Sequence, residues 1–147
     1  MTLPEGTRPE AERALAADLD GAERDEAAVA WLRGRVCAYL EGLGQDLVDL
    51  PVDTADAPPF FKRAWTACRS IPAGETRSYG WLAAAAGSPG AARAAGQSMA
   101  RNPAALAIPC HRVVASDGSL HGFGGGLEMK ARLLALEAKG GRPGRRD

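Results

Sequence analysis

The sequence predicts an α+β fold, mostly α. Three observations predict it. Residues 78–102 carry the punctuation of two short helices around a Gly-Ser turn, three other segments space their apolar residues by three and four, and residues 106–126 combine an apolar run with an Asp-Gly turn and four closing glycines. The 147 residues are 46% apolar and 24% charged, which suits one globular domain with a short appendage. No stretch approaches the roughly 18 apolar residues that a membrane span needs.

Residues 1–26 are acidic, with only Leu3, Leu15 and Leu19 as large apolar side chains, and are expected to be mobile or a loosely docked helix. This start has neither a secretory nor a mitochondrial presequence pattern, so the expected location is cytoplasmic. Over residues 27–43, Val29, Trp31, Leu32, Val36, Tyr39, Leu40 and Leu43 form an amphipathic stripe ended near Gly42 and Gly44, expected to pack by its Trp31 and Leu40 side. Leu47, Val48, Leu50 and Val52 then suggest a short strand, and Pro58 and Pro59 a linker. Residues 60–70 return to helical spacing with Phe61, Ala64, Trp65 and Cys68 inward.

Ser78 can cap a helix through Ala86 that Gly87 terminates, and Ser88 can cap a second that opens with Pro89 and runs to about Arg101. The pair reads as a helix-turn-helix. A small hairpin is expected around Asp117-Gly118, then a helix over 127–139 with Leu127, Leu133, Leu134 and Leu136 inward, and a basic flexible tail at 140–147.

Charge and cysteines narrow the function. Residues 1–61 hold 5 basic and 13 acidic side chains, whereas residues 62–147 hold 13 basic and 5 acidic, so only the second part suits a polyanion. Cys37, Cys68 and Cys110 are an odd number with no C-x-x-C pair, and His111 and His121 are the sole histidines, which argues against a disulfide framework or a zinc site. The second helix of the pair, PGAARAAGQSMAR, is poorly equipped to read base edges. Its small side chains allow close approach to a groove, with Arg93 and Gln97 one turn apart, and a single Arg can enter a base stack. Equally, an Ala-rich helix can simply be a well-packed one with Arg93 in solvent. Cys110, in IPCHRVV, has the neighbours of an activated nucleophile or is an inert buried thiol beside a structural histidine. On an extended strand His111 would point away from Cys110, so the pair needs a turn, which Pro109 can help fix, or a bridging water.

The ordered motifs IPAGETRSYGWLAAAAG, SPGAARAAGQSMARNP, IPCHRVV and GGLEMKARLLALE, spanning residues 60–137, resemble the O6-alkylguanine-DNA alkyltransferases. The resemblance implies direct-reversal DNA repair: after base flipping, Cys110 accepts the alkyl group from O6-alkylguanine in a single turnover. It implies a catalytic set of Cys110, His111, Glu137 and Asn102, the last tying the recognition helix to the active-site turn. DNA would be contacted by Tyr79, Ala92, Arg93, Gln97 and Arg101, with Arg93 filling the gap left by the flipped base. The base would be held by Tyr79, the carbonyl of Val113, Phe123 and the N–H of Gly124. No cofactor and no metal are implied, and the partner is double-stranded DNA containing O6-alkylguanine, met through its minor groove by a monomer. The corresponding architecture is a winged-helix-like DNA-binding and alkyl-transfer domain at 59–139, preceded by a truncated α/β remnant at 27–58. Phe123 stands where many relatives carry Tyr, and Gly124 where Ser or Ala is frequent, which bears on pocket selectivity. Two rivals are weighed: an alkylated-base binding protein that recruits other repair factors, against which Cys110 itself argues, and a helix-turn-helix regulator, which the Ala-rich second helix disfavours.

Overall fold

The computed structural model describes residues 21, 23, 25–43 and 46–140, so the expectations for the first twenty residues and for 141–147 lie outside it. Helix α1 (Glu26–Leu40) starts at Asp25, whose carboxylate accepts from the N–H groups of Ala27 and Ala28 at 3.0 Å. Its inward face is not the expected one. Trp31 and Leu40 are 55% and 48% exposed, while Leu32, Val36 and Tyr39 pack inward. Positions 32, 36 and 39 follow the i, i+4, i+7 row that meets Leu47, Leu50, Leu106 and Leu133. Trp31 is covered from outside by the Arg35 guanidinium, 5.5 Å from its ring centre.

The expected strand near residues 47–52 is absent from the described residues. Leu47 and Leu50 are buried, yet the Leu50 N–H closes a turn on the Leu47 carbonyl at 3.1 Å. The carbonyls of Val48 and Leu50 are taken by the Arg69 guanidinium instead of a neighbouring strand. Helix α2 (Pro59–Arg69) opens on a proline and buries Ala64, Trp65 and Cys68. Trp65 donates its indole N–H to the Ser98 carbonyl at 2.8 Å, fastening α2 to the helix pair.

That pair is α3 (Tyr79–Ala85) and α4 (Ala92–Ala100). Ser78 caps α3 through the Trp81 N–H at 3.0 Å, and Gly87, at φ +82°, ends it. Helix α4 starts three residues later than expected and has no side-chain cap. Gly90, at φ +86°, takes the backbone out of the helical region just after Pro89, so residues 88–91 form a turn.

The hairpin is also corrected. Strand β2 (Val113–Val114) pairs in parallel with β1 (Arg77–Ser78), in the register Arg77 to Val113 and Ser78 to Val114. The Asp117-Gly118 turn does form, closed by the Ala115 N–H on the Ser119 carbonyl at 3.0 Å, but no strand returns along β2 among the described residues. Helix α5 (Gly126–Gly140) buries Leu133 as expected, half-buries Leu134 and Leu136, and leaves Leu127 49% exposed. The other residues on its inward row are Lys130 and Glu137, both buried. The fold is thus mostly helical with one small sheet. Two apolar clusters, one gathering α2–α4 with Ile71, Ile108, Cys110 and Val113 and one joining α1 to α5, share Val52 and Phe123.

Candidate active site

The segment before Cys110 is shaped by Asn102. Its Nδ2 donates to the Ile108 carbonyl at 2.8 Å and its Oδ1 accepts from the Ala104 N–H at 2.9 Å, bracketing a loop in which Leu106 adopts φ +73°. A left-handed leucine costs about 1–2 kcal/mol, and it persists because its side chain is buried and the loop is clamped at both ends. Past Pro109, Cys110–Arg112 form one 3-10 turn, closed by the Arg112 N–H on the Pro109 carbonyl at 2.9 Å. The chain therefore turns where the Cys110-His111 pair requires it to.

His111 is fully buried, with Nε2 2.9 Å from Glu137 Oε1. Glu137, from α5, is the hub. Its Oε1 also accepts from the Tyr39 hydroxyl at 2.5 Å and Arg112 Nη2 at 2.7 Å, and its Oε2 accepts from Arg112 Nε at 3.0 Å and the Gly74 N–H at 3.2 Å. Burial alone would raise this carboxyl. The hydrogen bonds from His111, Arg112 and Tyr39 outweigh it and hold Glu137 well below the usual carboxylate range. An ionised carboxylate only accepts, so Nε2 carries the proton and donates it to Oε1. Nδ1 is buried with no hydrogen-bonding partner among the described residues. A buried imidazole nitrogen without a partner, one residue from a thiol, is an arrangement that can supply general-base chemistry.

Arg112 supports the hub. It is fully buried, donates to the Ile71 carbonyl at 2.7 Å and reaches Asp46 at 3.1 Å. Burial would lower its pKa, but its bonds to Glu137 and Asp46 prevail and raise it. Cys110 is 9% exposed. Burial pushes its thiol up, while the Asn102 side chain and Lys130 pull the other way without overcoming it. Lys130, also buried, donates Nζ to the carbonyls of Val113 at 2.7 Å and His121 at 2.9 Å, and desolvation lowers its pKa.

Cys110 lies in a cleft of about 750 Å³. Tyr79, Ala92, Arg93, Gln97, Phe123 and Gly124, all expected at the site, line it together with Gly96, Met99 and His121. Tyr79 donates its hydroxyl to the His121 carbonyl at 3.3 Å, tying α3 to the loop that carries Phe123. Arg93 is exposed on α4. Arg101 is not brought to the cleft and sits 5.9 Å over the Phe61 ring. Val113 is buried on β2, with one lone pair of its carbonyl already engaged by Lys130. Sequence reasoning missed Tyr39, Asp46 and Lys130, and took Arg112 only as a positive neighbour of Cys110 when its guanidinium serves Glu137. Arg112 stood inside the quoted IPCHRVV, and Lys130 shares the row of Leu133 and Glu137, where apolar periodicity draws the eye to leucines.

Comparison with known proteins bears on this site. Residues 59–139 match the family model described as 6-O-methylguanine DNA methyltransferase, DNA binding domain. The methylated-DNA–protein-cysteine methyltransferase of Mycolicibacterium paratuberculosis is 54% identical over 80 residues, covering 54% of this chain and 48% of that protein. The one from Salmonella typhimurium is 42% identical over 91 residues, covering 62% and 53%. The chain spans about half the length of the curated relatives it matches. Among solved structures, Mycobacterium tuberculosis OGT in complex with DNA superposes with a TM-score of 0.65 at 44% identity, covering 74% of this chain and 66% of that one. The O6-methylguanine-DNA methyltransferase of Pyrococcus kodakaraensis gives 0.59 at 32% identity, covering 71% and 61%.

Proposed function

Since the chain belongs to the 6-O-methylguanine DNA methyltransferase family, we propose that it repairs O6-alkylguanine in double-stranded DNA by transferring the alkyl group to its own Cys110. The observation that carries this reading is the 3-10 turn that places buried His111 directly after Cys110, with Nε2 on Glu137 and Nδ1 without a partner among the described residues. The thiol gives its proton to Nδ1, through a water where the direct path is not open. The thiolate then attacks the alkyl carbon. A carbon–sulfur bond forms as the carbon–O6 bond breaks, and the departing guanine takes up a proton. A thioether does not hydrolyse, so each chain acts once.

Recognition in this reading is by shape. The small faces of Ala92 and Gly96 let α4 approach the minor groove in a winged-helix-like manner, Arg93 occupies the stack vacated by the flipped base, and Gln97 contacts the backbone beside it. Tyr79, Phe123, the Gly124 N–H and the remaining lone pair of the Val113 carbonyl hold the base. Arg101 meets the flanking phosphates from outside the cleft. We take the chain to act in the cytoplasm as a monomer, with residues 59–139 as the transferring domain and 27–58 as its support.

The test is intact-protein mass after incubation with excess duplex oligonucleotide bearing one O6-methylguanine, beside Cys110→Ala. One methyl in place of one hydrogen, absent in the variant, is the expected outcome. Tight lesion binding with no change in mass would replace this reading by that of a binding protein that recruits other factors.

A further inference from the structure

Glu137 Oε1 is crowded. It accepts from His111 Nε2, Arg112 and the Tyr39 hydroxyl, and the Tyr39 oxygen also lies 3.4 Å from Nε2. Tyr39 belongs to α1, outside the family-matched residues 59–139, and is 7% exposed. A phenol can donate or accept, but an ionised carboxylate at 2.5 Å fixes this one as a donor. The charged and titratable groups around it are Glu137 from α5, His111 and Arg112 from the 3-10 turn, and Asp46 from the loop after α1. Lys130 turns its ammonium away, toward the carbonyls of Val113 and His121.

Resting on the methyl-transfer reading, we propose that Tyr39 is a positioning residue of the Cys110–His111–Glu137 relay, its hydroxyl drawing off part of the Glu137 charge and holding Oε1 in line with His111 Nε2. Each donor to a carboxylate lowers the negative charge its other partners feel. Without the Tyr39 hydroxyl, Oε1 keeps more of its charge for its remaining partners and loses one of the contacts that hold it on His111 Nε2. The residue thus acts on the relay from a helix that lines none of the cleft.

The experiment compares the full chain with Tyr39→Phe, which keeps the buried ring, in single-turnover methyl transfer from the O6-methylguanine duplex over the acid and neutral range. The acid limb of the rate profile is expected to move up by about half a pH unit, the scale of one modest hydrogen bond, with duplex affinity unchanged within about twofold. A 3-fluorotyrosine placed at position 39 alone is a stronger donor of the same shape and is expected to move the limb down. This second arm keeps the test decisive if the phenylalanine variant melts early. Superimposable limbs, or a uniform loss of rate at every pH that tracks a loss of melting temperature, overturn the role. Absence of transfer by the unaltered chain sinks the methyl-transfer reading itself, whereas transfer with an unmoved limb sinks only the part given to Tyr39.

Discussion

The relay and the cleft meet at Cys110 but are built on opposite terms. Around Glu137, every polar atom of the carboxylate is engaged by groups drawn from α1, the 3-10 turn and the segment before β1, and the side chains are buried. The cleft beside it is open, with alanine, glycine and exposed Arg93 on the α4 side facing Tyr79 and Phe123. The lesson is a division of labour. Charge placement, which tolerates little change, is enclosed, whereas the cleft offers mainly shape and backbone groups that survive side-chain substitution.

The largest break in this contrast is Glu137→Gln. Loss of the charge that orients and stabilises His111 should slow methyl transfer by about 10²–10⁴, the usual weight of a positioned base. It also leaves Arg112 buried without its main counter-charge, at a cost of about 3–5 kcal/mol, readable as a fall in the urea midpoint. Because the folded pKa of Glu137 is depressed, its contribution is fully present above the unfolded value near ~4.3 and is lost as pH falls from there toward the folded value. Urea midpoints measured at successively lower pH should therefore drop more steeply for the natural chain than for the Glu137→Gln variant. An equal slope in both would place the acid-sensitive charge elsewhere.

On the cleft side, Arg93→Ala should weaken binding to the lesion duplex by about tenfold, as expected for a side chain that fills a vacated stack, while the melting temperature stays within the scatter of a surface change. Fluorescence anisotropy and a thermal melt separate the two. Cys110 offers a finer comparison, since its thiol is pushed up by burial. Alkylation by iodoacetamide should be slow at neutral pH and rise only above the ordinary thiol range, whereas exposed Cys37 should react first in a peptide-resolved time course. The smallest effect is expected at Gly124, where an added Cβ meets nothing within 4 Å. Gly124→Ala should leave stability within about 0.5 kcal/mol and the transfer rate within about threefold.

What could be read from the sequence follows the same division. Ser78 and Gly87 marked the ends of α3 because capping is a local matter, and Cys68 on its apolar row was buried as its spacing implied. The start of α4 was misplaced because Ser88-Pro89 is a good local signal that Gly90 overrides by its backbone conformation. The strand and hairpin expectations failed for a different reason: a ladder needs a partner, and the partner of Val113 is Arg77, on the far side of the helix pair. At the site, the IPCHRVV motif and Glu137, named through resemblance, meet in the His111–Glu137 contact, while Tyr39 and Lys130 escaped. A polar residue on an apolar row is invisible to periodicity until its buried partner is known.

The separations along the chain that close the relay are long: 41 residues from Ile71 to Arg112, 66 from Asp46 to Arg112, and 98 from Tyr39 to Glu137. The contacts of α3 with α4, by contrast, lie between neighbours in sequence. Loops that long are closed late, since their entropy is lost before any contact rewards it. During synthesis the helix pair can assemble while α5 is still unmade, and a chain released before residue 137 would present Cys110 with no Glu137 to set the tautomer of His111. The proposed relay therefore waits on residue 137, and a ribosome-stalled series of lengths would acquire its secondary structure well before its reactivity.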